Sequence, residues 1–401
     1  MKPDAPRFSY AREVDYCSAA CLMVDRALFE SLGRFDVAFA PGYYEDTDLA
    51  FRIREAGRTV VYQPRTRVVH YEGASAGRSL EAGMKRHQVA NRERFFERWR
   101  GVLASHRPNG VQPELAKERV AGKRLLLVEP RMIRPDRDSG SLRMFNLIRI
   151  LLDLGYRITF VPDNLLRLEP YVGQLQAMGV EVLYAPFVPS LVSHLEDQGR
   201  LYDVVVLSRL VIGKRHIGLV RAQCPDAAVV FDTVDLHFLR QAREAELESH
   251  ESKRAAAAQT KLEELDVARR ADVTLVVSEV EKRLLLEEEP SLDVFVVSNI
   301  HRQYESPRPF EERRDVLFIG GFEHPPNVDA VKWLVGEILP RAREEGFDGR
   351  VWIVGSHPPP EVRGLASERV IVTGFVPDAA PLFNDCRLSV APLRYGAGVK
   401  G

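Results

Sequence analysis

The stretch that decides the fold runs from Lys123 to Pro162 and has the sequence KRLLLVEPRMIRPDRDSGSLRMFNLIRILLDLGYRITFVP. Arg124–Glu129 is a short apolar run, Ser141–Leu154 carries apolar residues at helical spacing, and Arg157–Val161 is again strand-like. The order strand, helix, strand is typical of a crossover unit, whose two strands are parallel.

The same alternation continues along the chain and predicts an α/β fold with helices on both faces of parallel sheets. A break at Tyr304–Arg314, which contains two prolines and a charge cluster, divides it into two units. The further predicted elements are strands at Val180–Tyr184, Val204–Ser208, Ala228–Asp232, Val273–Val277, Val294–Val297, Asp315–Ile319, Arg350–Val354, Val370–Thr373 and Leu388–Ala391, with a helix at Val328–Ile338.

Four segments follow from this pattern. Residues 1–100 form a motif-rich region, 101–122 a polar, turn-rich linker, 123–303 a first Rossmann-like domain and 315–401 a second. Leu239–Arg270 lacks proline and glycine and predicts one long charged helix. Ser278 and Glu281 have the spacing of a capping box at the start of another helix.

Composition excludes several classes of protein. The 401 residues include 56 Lys and Arg against 57 Asp and Glu, which argues against a dedicated nucleic-acid binder. No apolar run is long enough to span a bilayer, and the first ten residues have no signal core, so we expect a cytoplasmic protein. The four cysteines are few and fit a reducing compartment, and we expect Cys17 and Cys21 to be small core residues.

The first candidate site is the acidic cluster Glu45-Asp46-Thr47-Asp48 at the start of a predicted helix. Acidic residues in a first turn are also what the helix dipole favours, so a purely structural role is open. The alternative is a general base for a sugar hydroxyl that attacks an anomeric carbon. His70, after a predicted strand, is either a hydrogen-bonded structural residue or a metal ligand.

This region resembles the second half of family-2 glycosyltransferases with the GT-A fold, especially rhamnosyltransferase-like members. The resemblance covers about 80 residues, from Ser18–Val24 through Gly33–Asp36 and the acidic cluster to Val68–Ser75. It implies that Asp46, with Glu45, supplies the catalytic base of an inverting transfer, and that His70 helps bind Mg²⁺ or Mn²⁺. The family's nucleotide-binding half lies upstream of the matched region, so we expect residues 1–100 to be incomplete as a catalyst.

The second candidate site lies in the loops after the strands of the two Rossmann-like units, where ligands bind in doubly wound sheets. Asp138–Ser141 with Arg143 predicts either a helix cap or an anion site around Gly140. Asp235 and His237 follow the strand that ends at Asp232. The glycines Gly320, Gly321 and Gly355, and the run Gly396-Ala397-Gly398-Val399-Lys400-Gly401, allow backbone to approach a ligand closely.

These units resemble family-4 glycosyltransferases with the GT-B fold. The resemblance implies that Gly140, Arg143, Gly320, Gly321, Gly355, Gly396, Gly398 and Lys400 contact a nucleotide sugar, that Asp235 and His237 line the reacting sugar, and that the transfer is retaining and needs no metal. The family continues beyond the match to Gly401 with acidic donor-binding residues. We therefore expect the second domain to be truncated and the chain as given to be poorly stable.

Taken together, the sequence predicts a partial GT-A remnant fused to a GT-B pair, acting in polysaccharide or cell-envelope biosynthesis. The donor is a nucleotide sugar, and the acceptor is a growing saccharide or a lipid-linked glycan at the inner membrane face, with peripheral contact and no nucleic acid. Two alternatives stay open: a non-catalytic fragment that binds nucleotide sugars or a partner, and a GT-B-type sugar-nucleotide epimerase.

Overall fold

The computed structural model describes residues 4–69, 85–118, 122–301 and 305–399. The N-terminal region is a small helical unit around a two-stranded antiparallel ribbon. Its helices are Arg26–Ser31 (α1), Glu45–Glu55 (α2), Arg86–Leu103 (α3) and Pro113–Ala116 (α4), and its strands are Arg12–Glu13 (β1) and Val61–Tyr62 (β2). Helix α2 is the centre of this unit, because Phe51 packs on the aromatic side chains of α3 while Leu49 and Ile53 pack toward α1.

Next comes a seven-stranded, wholly parallel sheet with the order β5-β4-β3-β6-β7-β8-β9. Residues of β3 alternate between its two faces: Leu126 and Val128 join one buried cluster, and Leu125 and Leu127 join the other. Its strands are Arg124–Glu129 (β3), Arg157–Pro162 (β4), Glu181–Val182 (β5), Val204–Ser208 (β6), Ala228–Asp232 (β7), Val273–Val276 (β8) and Val294–Val296 (β9). The predicted strands of this unit are confirmed, with shifts at their ends and a shorter β5.

Seven helices among the described residues accompany this sheet. They are Ser139–Asp153 (α5), Tyr171–Ala177 (α6), Leu191–Gln198 (α7), Leu210–Gln223 (α8), His237–Glu248 (α9), Glu251–Arg270 (α10) and Glu279–Glu288 (α11). The prediction of one long helix over Leu239–Arg270 is wrong. Ser249 adopts a left-handed conformation with φ of 53°, and the chain turns there so that α9 and α10 pack together.

A second parallel sheet has four strands in the order β12-β11-β10-β13. Its strands are Asp315–Ile319 (β10), Val351–Val354 (β11), Val370–Gly374 (β12) and Cys386–Ser389 (β13), and its helices are Pro325–Trp333 (α12), Leu339–Glu344 (α13), Pro360–Arg363 (α14) and Ala380–Asp385 (α15). A π-helical turn, Leu334–Ile338, joins α12 to α13 where one continuous helix was predicted at Val328–Ile338. The expected pair of Rossmann-like α/β units is confirmed.

The segment predicted as a linker is more ordered than its composition suggests. Helix α3 extends to Leu103, and α4 lies within the segment. Lys117 Nζ lies 2.9 Å from Glu181 Oε2 at the edge strand β5, and the Tyr10 hydroxyl donates to Glu118. These contacts attach the N-terminal unit to the first sheet. The division into domains at 100 and 122 stays a prediction.

The cysteines and the helices bear on two further expectations. Cys224 and Cys386 are core residues, and burial raises the pKa of each thiol to about 11. Cys21 is exposed and Cys17 half-buried, which differs from the core positions predicted for both. Within the described residues, none of the helices combines the length and the apolar character that crossing a bilayer requires.

Candidate functional site

Both sheets reverse their strand order at one point, between β3 and β6 in the first and between β10 and β13 in the second. In such sheets the crevice at the reversal, outside the carboxyl ends of the strands, is the usual ligand site. The two units contact each other near the carboxyl ends of their sheets: the Gly398 amide donates to Glu281 Oε1 (2.8 Å), and Asn299 Nδ2 donates to the Val399 carbonyl (3.0 Å). Arg137 stacks 3.5 Å from the ring centre of Phe375. The candidate site is this shared cleft.

Arg143, predicted to bind a ligand, instead stabilises the first unit. Its side chain is 1% exposed, and its guanidinium donates to both carboxylate oxygens of Asp232 at 2.8 and 3.0 Å. Its Nε donates to the Val297 carbonyl at 2.9 Å. Both residues are buried at the end of β7 and have their hydrogen bonds satisfied within the protein. This pairing gives Arg143 a structural role, and its predicted contact with a nucleotide sugar stays a prediction.

The N-terminus of α5 is occupied by a side chain of the same helix. Asp138 caps it, with Oδ1 accepting from the Ser141 amide and Oδ2 from the Ser141 hydroxyl, both at 2.7 Å. Gly140 faces the guanidinium of Arg209, which lies 2.8 Å from where a Cβ would stand. Of the two alternatives given for Asp138–Ser141, the helix cap is the one observed. Gly140 makes room for an arginine here, and its predicted contact with a nucleotide sugar stays a prediction.

Arg209 marks the reversal point of the first sheet. It follows β6 with φ of 72°, a conformation that a residue with a side chain rarely adopts. Its Nε lies 3.5 Å from Glu129 Oε2, and the Ser208 hydroxyl donates to Glu129 Oε1 at 2.7 Å. Burial raises the pKa of Glu129. Sequence reasoning missed this group, although Glu129 and Ser208 each end a predicted strand.

The predicted catalytic pair lies in the loop that connects β7 to α9. His237 Nε2 is 3.6 Å from Asp235 Oδ1, and its Nδ1 is 3.7 Å from Glu264 Oε1. Glu264, on α10, accepts from the amides of His237 and Phe238 at 2.9 and 3.0 Å. Burial raises the pKa of Glu264 to about 7 and lowers that of His237. The structure thus places three titratable groups at the start of α9, and the catalytic roles of Asp235 and His237 stay predictions.

Glu281 is the second residue that the sequence did not reveal as part of the site. It is 1% exposed, and its carboxylate accepts from the amides of Leu236 (3.2 Å), Val277 (3.2 Å) and Gly398 (2.8 Å). The predicted capping box forms only in part: the Glu281 amide donates to Ser278 Oγ, but the Glu281 carboxylate does not return to Ser278. Burial raises the pKa of this carboxyl group. Glu281 therefore joins the two units at the glycine-rich loop.

Glycine backbone forms the second unit's side of the cleft. A Cβ on Gly355 would lie 1.9 Å from the Gly320 carbonyl oxygen, so this pair lets β10 and β11 end in close contact. Gly321 is in ordinary contact distance of Ser356 Oγ. Gly398 has φ of 78°, and a Cβ there would lie 3.3 Å from Asp235 Cβ. Gly355 thus has a packing role, while Gly320, Gly321 and Gly398 stand at the cleft.

The remaining glycine-rich loop approaches the first unit as well. Gly396 has φ of 151°, and its carbonyl accepts from Arg243 Nη1 at 2.6 Å. Lys400 and Gly401 lie outside the described residues.

The acidic cluster of α2 has three different environments. Asp48 is fully buried and accepts from Arg52 (2.7 Å), Arg98 (3.0 Å) and the Trp99 indole (2.9 Å), so it is structural. Asp46 accepts from the amides of Ala19 (2.9 Å) and Thr47 (2.7 Å). Glu45 Oε2 is buried with no hydrogen-bond partner among the residues described. Of the two predicted bases, Glu45 therefore has the unused acceptor, and the role of both stays a prediction.

The predicted metal site cannot be placed in this geometry. His70 lies outside the described residues. The described part of the chain holds no group of three or more His, Cys, Asp or Glu side chains that could bind a metal ion. The metal ion stays a prediction.

Parallel α/β sheets of this kind bind ligands in the crevice outside the carboxyl ends of their strands. Comparison with known families makes this more specific: residues 313–401 match the family model described as "Glycosyl transferases group 1". The C-terminal unit is thus similar to the domain of group 1 glycosyl transferases.

The chain also matches curated proteins in part. It is 34% identical over 132 residues to the N-acetylglucosaminyl-diphospho-decaprenol L-rhamnosyltransferases of two Mycobacterium tuberculosis strains, CDC 1551 and H37Rv. The match covers 30% of this chain and 42% of each relative. This chain therefore spans less than half the length of these relatives.

Solved structures give weaker likenesses. Sucrose-phosphate synthase from Thermosynechococcus elongatus has 13% identity and a TM-score of 0.45, with 70% of this chain and 77% of that chain covered. A UDP-glucosyltransferase from Polygonum tinctorium has 13% identity and a TM-score of 0.43, with 66% and 73% covered.

Proposed function

We propose that the chain is a glycosyltransferase whose two α/β units bind a nucleotide sugar in their shared cleft and transfer the sugar to a saccharide. The observation that carries the proposal is the glycine-rich loop at Gly396–Val399, which lies across the cleft within a segment matched to group 1 glycosyl transferases. Backbone amides exposed by glycine are suited to a diphosphate, because they donate hydrogen bonds with no side chain in the way.

In this proposal the second unit binds the donor, and the first unit holds the acceptor. Gly320, Gly321 and Gly398 let the diphosphate approach the backbone, and Lys400 adds a positive charge. Asp235 and His237 face the reacting sugar. His237 is neutral near pH 7 because burial lowers its pKa, so it accepts a hydrogen bond from a sugar hydroxyl and does not repel a cationic transition state.

Nucleotide binding is the first test. We expect UDP, GDP or dTDP to bind in isothermal titration calorimetry, and Gly398→Val to weaken that binding at least tenfold. Valine is strained at φ of 78°, and its Cβ would press on Asp235. Gly336→Ala is the matched control, since its Cβ would meet nothing within 4 Å. Equal affinity of the Gly398→Val variant and the wild type would contradict the proposed site.

Turnover is the second test, and it separates the alternatives. Incubation with nucleotide sugars and a lipid-linked saccharide should yield a longer glycan in the lipid extract. Nucleotide binding without a product would identify a non-catalytic binding protein, and interconversion of free UDP-sugars would identify an epimerase. The partial match to rhamnosyltransferases that act on a diphospho-decaprenol lipid supports the lipid-linked acceptor. Co-sedimentation with anionic vesicles tests the proposed peripheral membrane contact.

For the N-terminal unit we propose Glu45 or Asp46 as the general base and His70 as a ligand of Mg²⁺ or Mn²⁺. The buried, unpartnered Oε2 of Glu45 supports a carboxylate that has room for a further hydrogen bond. Binding of Mn²⁺, measured by the loss of the free-ion electron paramagnetic resonance signal, should fall in His70→Ala and stay unchanged in the exposed control His357→Ala. Unchanged binding in both variants would exclude His70 as a ligand.

A further inference from the structure

A cavity of about 650 Å³ lies between the N-terminal unit and the first α/β unit, away from the glycine-rich loop. The N-terminal unit contributes one wall, and α6 with the loop before it contributes the other. A volume of this order lies within the usual range of small-molecule sites. The lining residues are Asp4, Ser9, Pro64, Arg65, Arg67, Phe145, Arg167, Glu169, Pro170, Gly173, Gln174, Gln176, Ala177 and Met178.

The two walls are held together by direct contacts, so the cavity is part of the fold. The Ala11 amide donates to the Gln176 carbonyl at 2.9 Å, and the Tyr184 hydroxyl donates to the Asp4 carbonyl at 2.8 Å. A Cβ on Gly179 would come within 3.3 Å of the Ala11 carbonyl, which shows how closely the two backbones pass. These contacts fix the spacing between Arg65 and Arg67 of one wall and Arg167 of the other.

The charge of the lining favours an anion. Three arginines face two carboxylates, which leaves an excess of one positive charge. Arg67 pairs with Asp4 and Arg167 with Glu169, but all four side chains are at least 43% exposed, so these pairs are weak and can rearrange. Arg65 has no ion-pair partner within the described part of the chain. A planar guanidinium with free donors is the group that most often recognises phosphate or carboxylate.

Gln176 is a second and independent observation at the same place. It lines the cavity and is 7% exposed, yet its Nε2 has no hydrogen-bond partner among the described residues. A buried donor without a partner costs about 1–3 kcal/mol, and native proteins seldom leave one unused. An acceptor oxygen of a bound molecule would satisfy it.

The remaining lining identifies the kind of molecule. Phe145, Met178 and the two prolines supply apolar surface beside the charged groups. A sugar ring combines an apolar face with hydroxyls that accept from amides and guanidinium groups. We propose that this junction cavity binds a saccharide bearing one anionic group, a phosphate or a carboxylate, held by Arg65 and Gln176 with the ring against Phe145. The site is separate from the nucleotide cleft and does not depend on the function proposed above.

Calorimetry with three probes tests the site: glucose 1-phosphate, glucuronate and neutral glucose. We expect at least one anionic probe to bind and glucose to bind at least tenfold more weakly. Arg65→Met and Gln176→Met should each weaken the anionic probe about tenfold. The control Arg341→Ala should not, since Arg341 is an exposed arginine on α13. Saturating UDP should leave the affinity unchanged.

Three results would overturn the proposal: no binding of either anionic probe, equal affinity of Arg65→Met and the wild type, or displacement of the probe by UDP. The Arg65 side chain is exposed, so its loss should leave the fold intact, which circular dichroism checks. Failure of the nucleotide cleft is distinguishable, because Gly398→Val should weaken UDP binding at least tenfold and leave the affinity for the anionic probe unchanged.

Discussion

The two sides of the cleft differ in chemistry: the first unit contributes charged side chains, and the second contributes glycine backbone. On the first unit, charged side chains stand at the carboxyl ends of the strands and are paired within the protein: Asp232 with Arg143 of α5, and Glu129 with Arg209. On the second unit, the corresponding positions are glycines, and what faces the cleft is backbone. The difference shows that a charged residue at the end of a strand need not contact a ligand, because another residue of the protein can pair with it.

Glu281 connects the charged side of the cleft to the glycine side. It is a carboxylate of the first unit, yet one of its three amide donors is Gly398 of the second. A buried carboxylate that binds a glycine amide occupies the same kind of acceptor position that a phosphate oxygen would take.

The largest loss of stability should come from a substitution on the glycine side of the cleft. Gly355→Ala places a Cβ 1.9 Å from the Gly320 carbonyl oxygen, and neither backbone can move without separating β10 from β11. We expect a loss of about 5 kcal/mol in the free energy of unfolding, among the severe values for a single substitution. Urea unfolding followed by tryptophan fluorescence, to which Trp352 on β11 contributes, measures it. Gly336→Ala, with open space around its Cβ, should change stability by less than about 1 kcal/mol.

On the charged side of the cleft, Arg143→Ala should lower the free energy of unfolding by about 4 kcal/mol, because it leaves the Asp232 carboxylate buried without its counter-charge. The control is Arg341→Ala, which breaks an exposed pair with Glu337 and should cost less than about 1 kcal/mol. Similar unfolding midpoints for the two variants would show that the Arg143–Asp232 pair is not what holds the polar edge together.

Features that depend on neighbouring residues can be predicted from this sequence, whereas features that depend on contacts between distant residues cannot. Strands such as Val204–Ser208 and Ala228–Asp232 were predicted to the residue, because a buried parallel strand is a continuous apolar run. The break at Ser249 was not, since no glycine or proline marks it and the packing of α9 on α10 decides it.

The site was less predictable for the same reason. Arg143 resembles a ligand-binding arginine by its position near the start of a helix that follows a strand, and its partner Asp232 is 89 residues away. Glu281 has the local spacing of a capping box, and its contact with Gly398 spans 117 residues. No local pattern contains either pairing.

The pH dependence of stability tests the charged cluster at the start of α9. Burial raises the pKa of Glu264 to about 7 from 4.5, so between these values the folded protein holds a proton that the unfolded chain has lost. The contribution of Glu264 to the free energy of unfolding is complete below about pH 4.5 and is lost as the pH rises through 7. The whole loss is about 3 kcal/mol. Glu264→Gln should remove this loss. Its neighbour Glu263→Gln is the control, because Lys214 lowers the pKa of Glu263 and the change with pH then has the opposite sign.

The smallest effect compares two helix caps of equal chemistry in different places. Ser278 Oγ accepts from the Glu281 amide at 3.2 Å beside the cleft, and Ser190 Oγ accepts from the Ser193 amide at 3.0 Å at the start of α7. Each alanine substitution should cost about 1 kcal/mol of stability. If the cleft binds a nucleotide, only Ser278→Ala should also lower UDP affinity, by about threefold, because the first turn of α11 positions Glu281 against Gly398. Equal UDP affinities in the two variants would mean that the glycine-rich loop is held independently of α11, and that the two sides of the cleft do not act on each other.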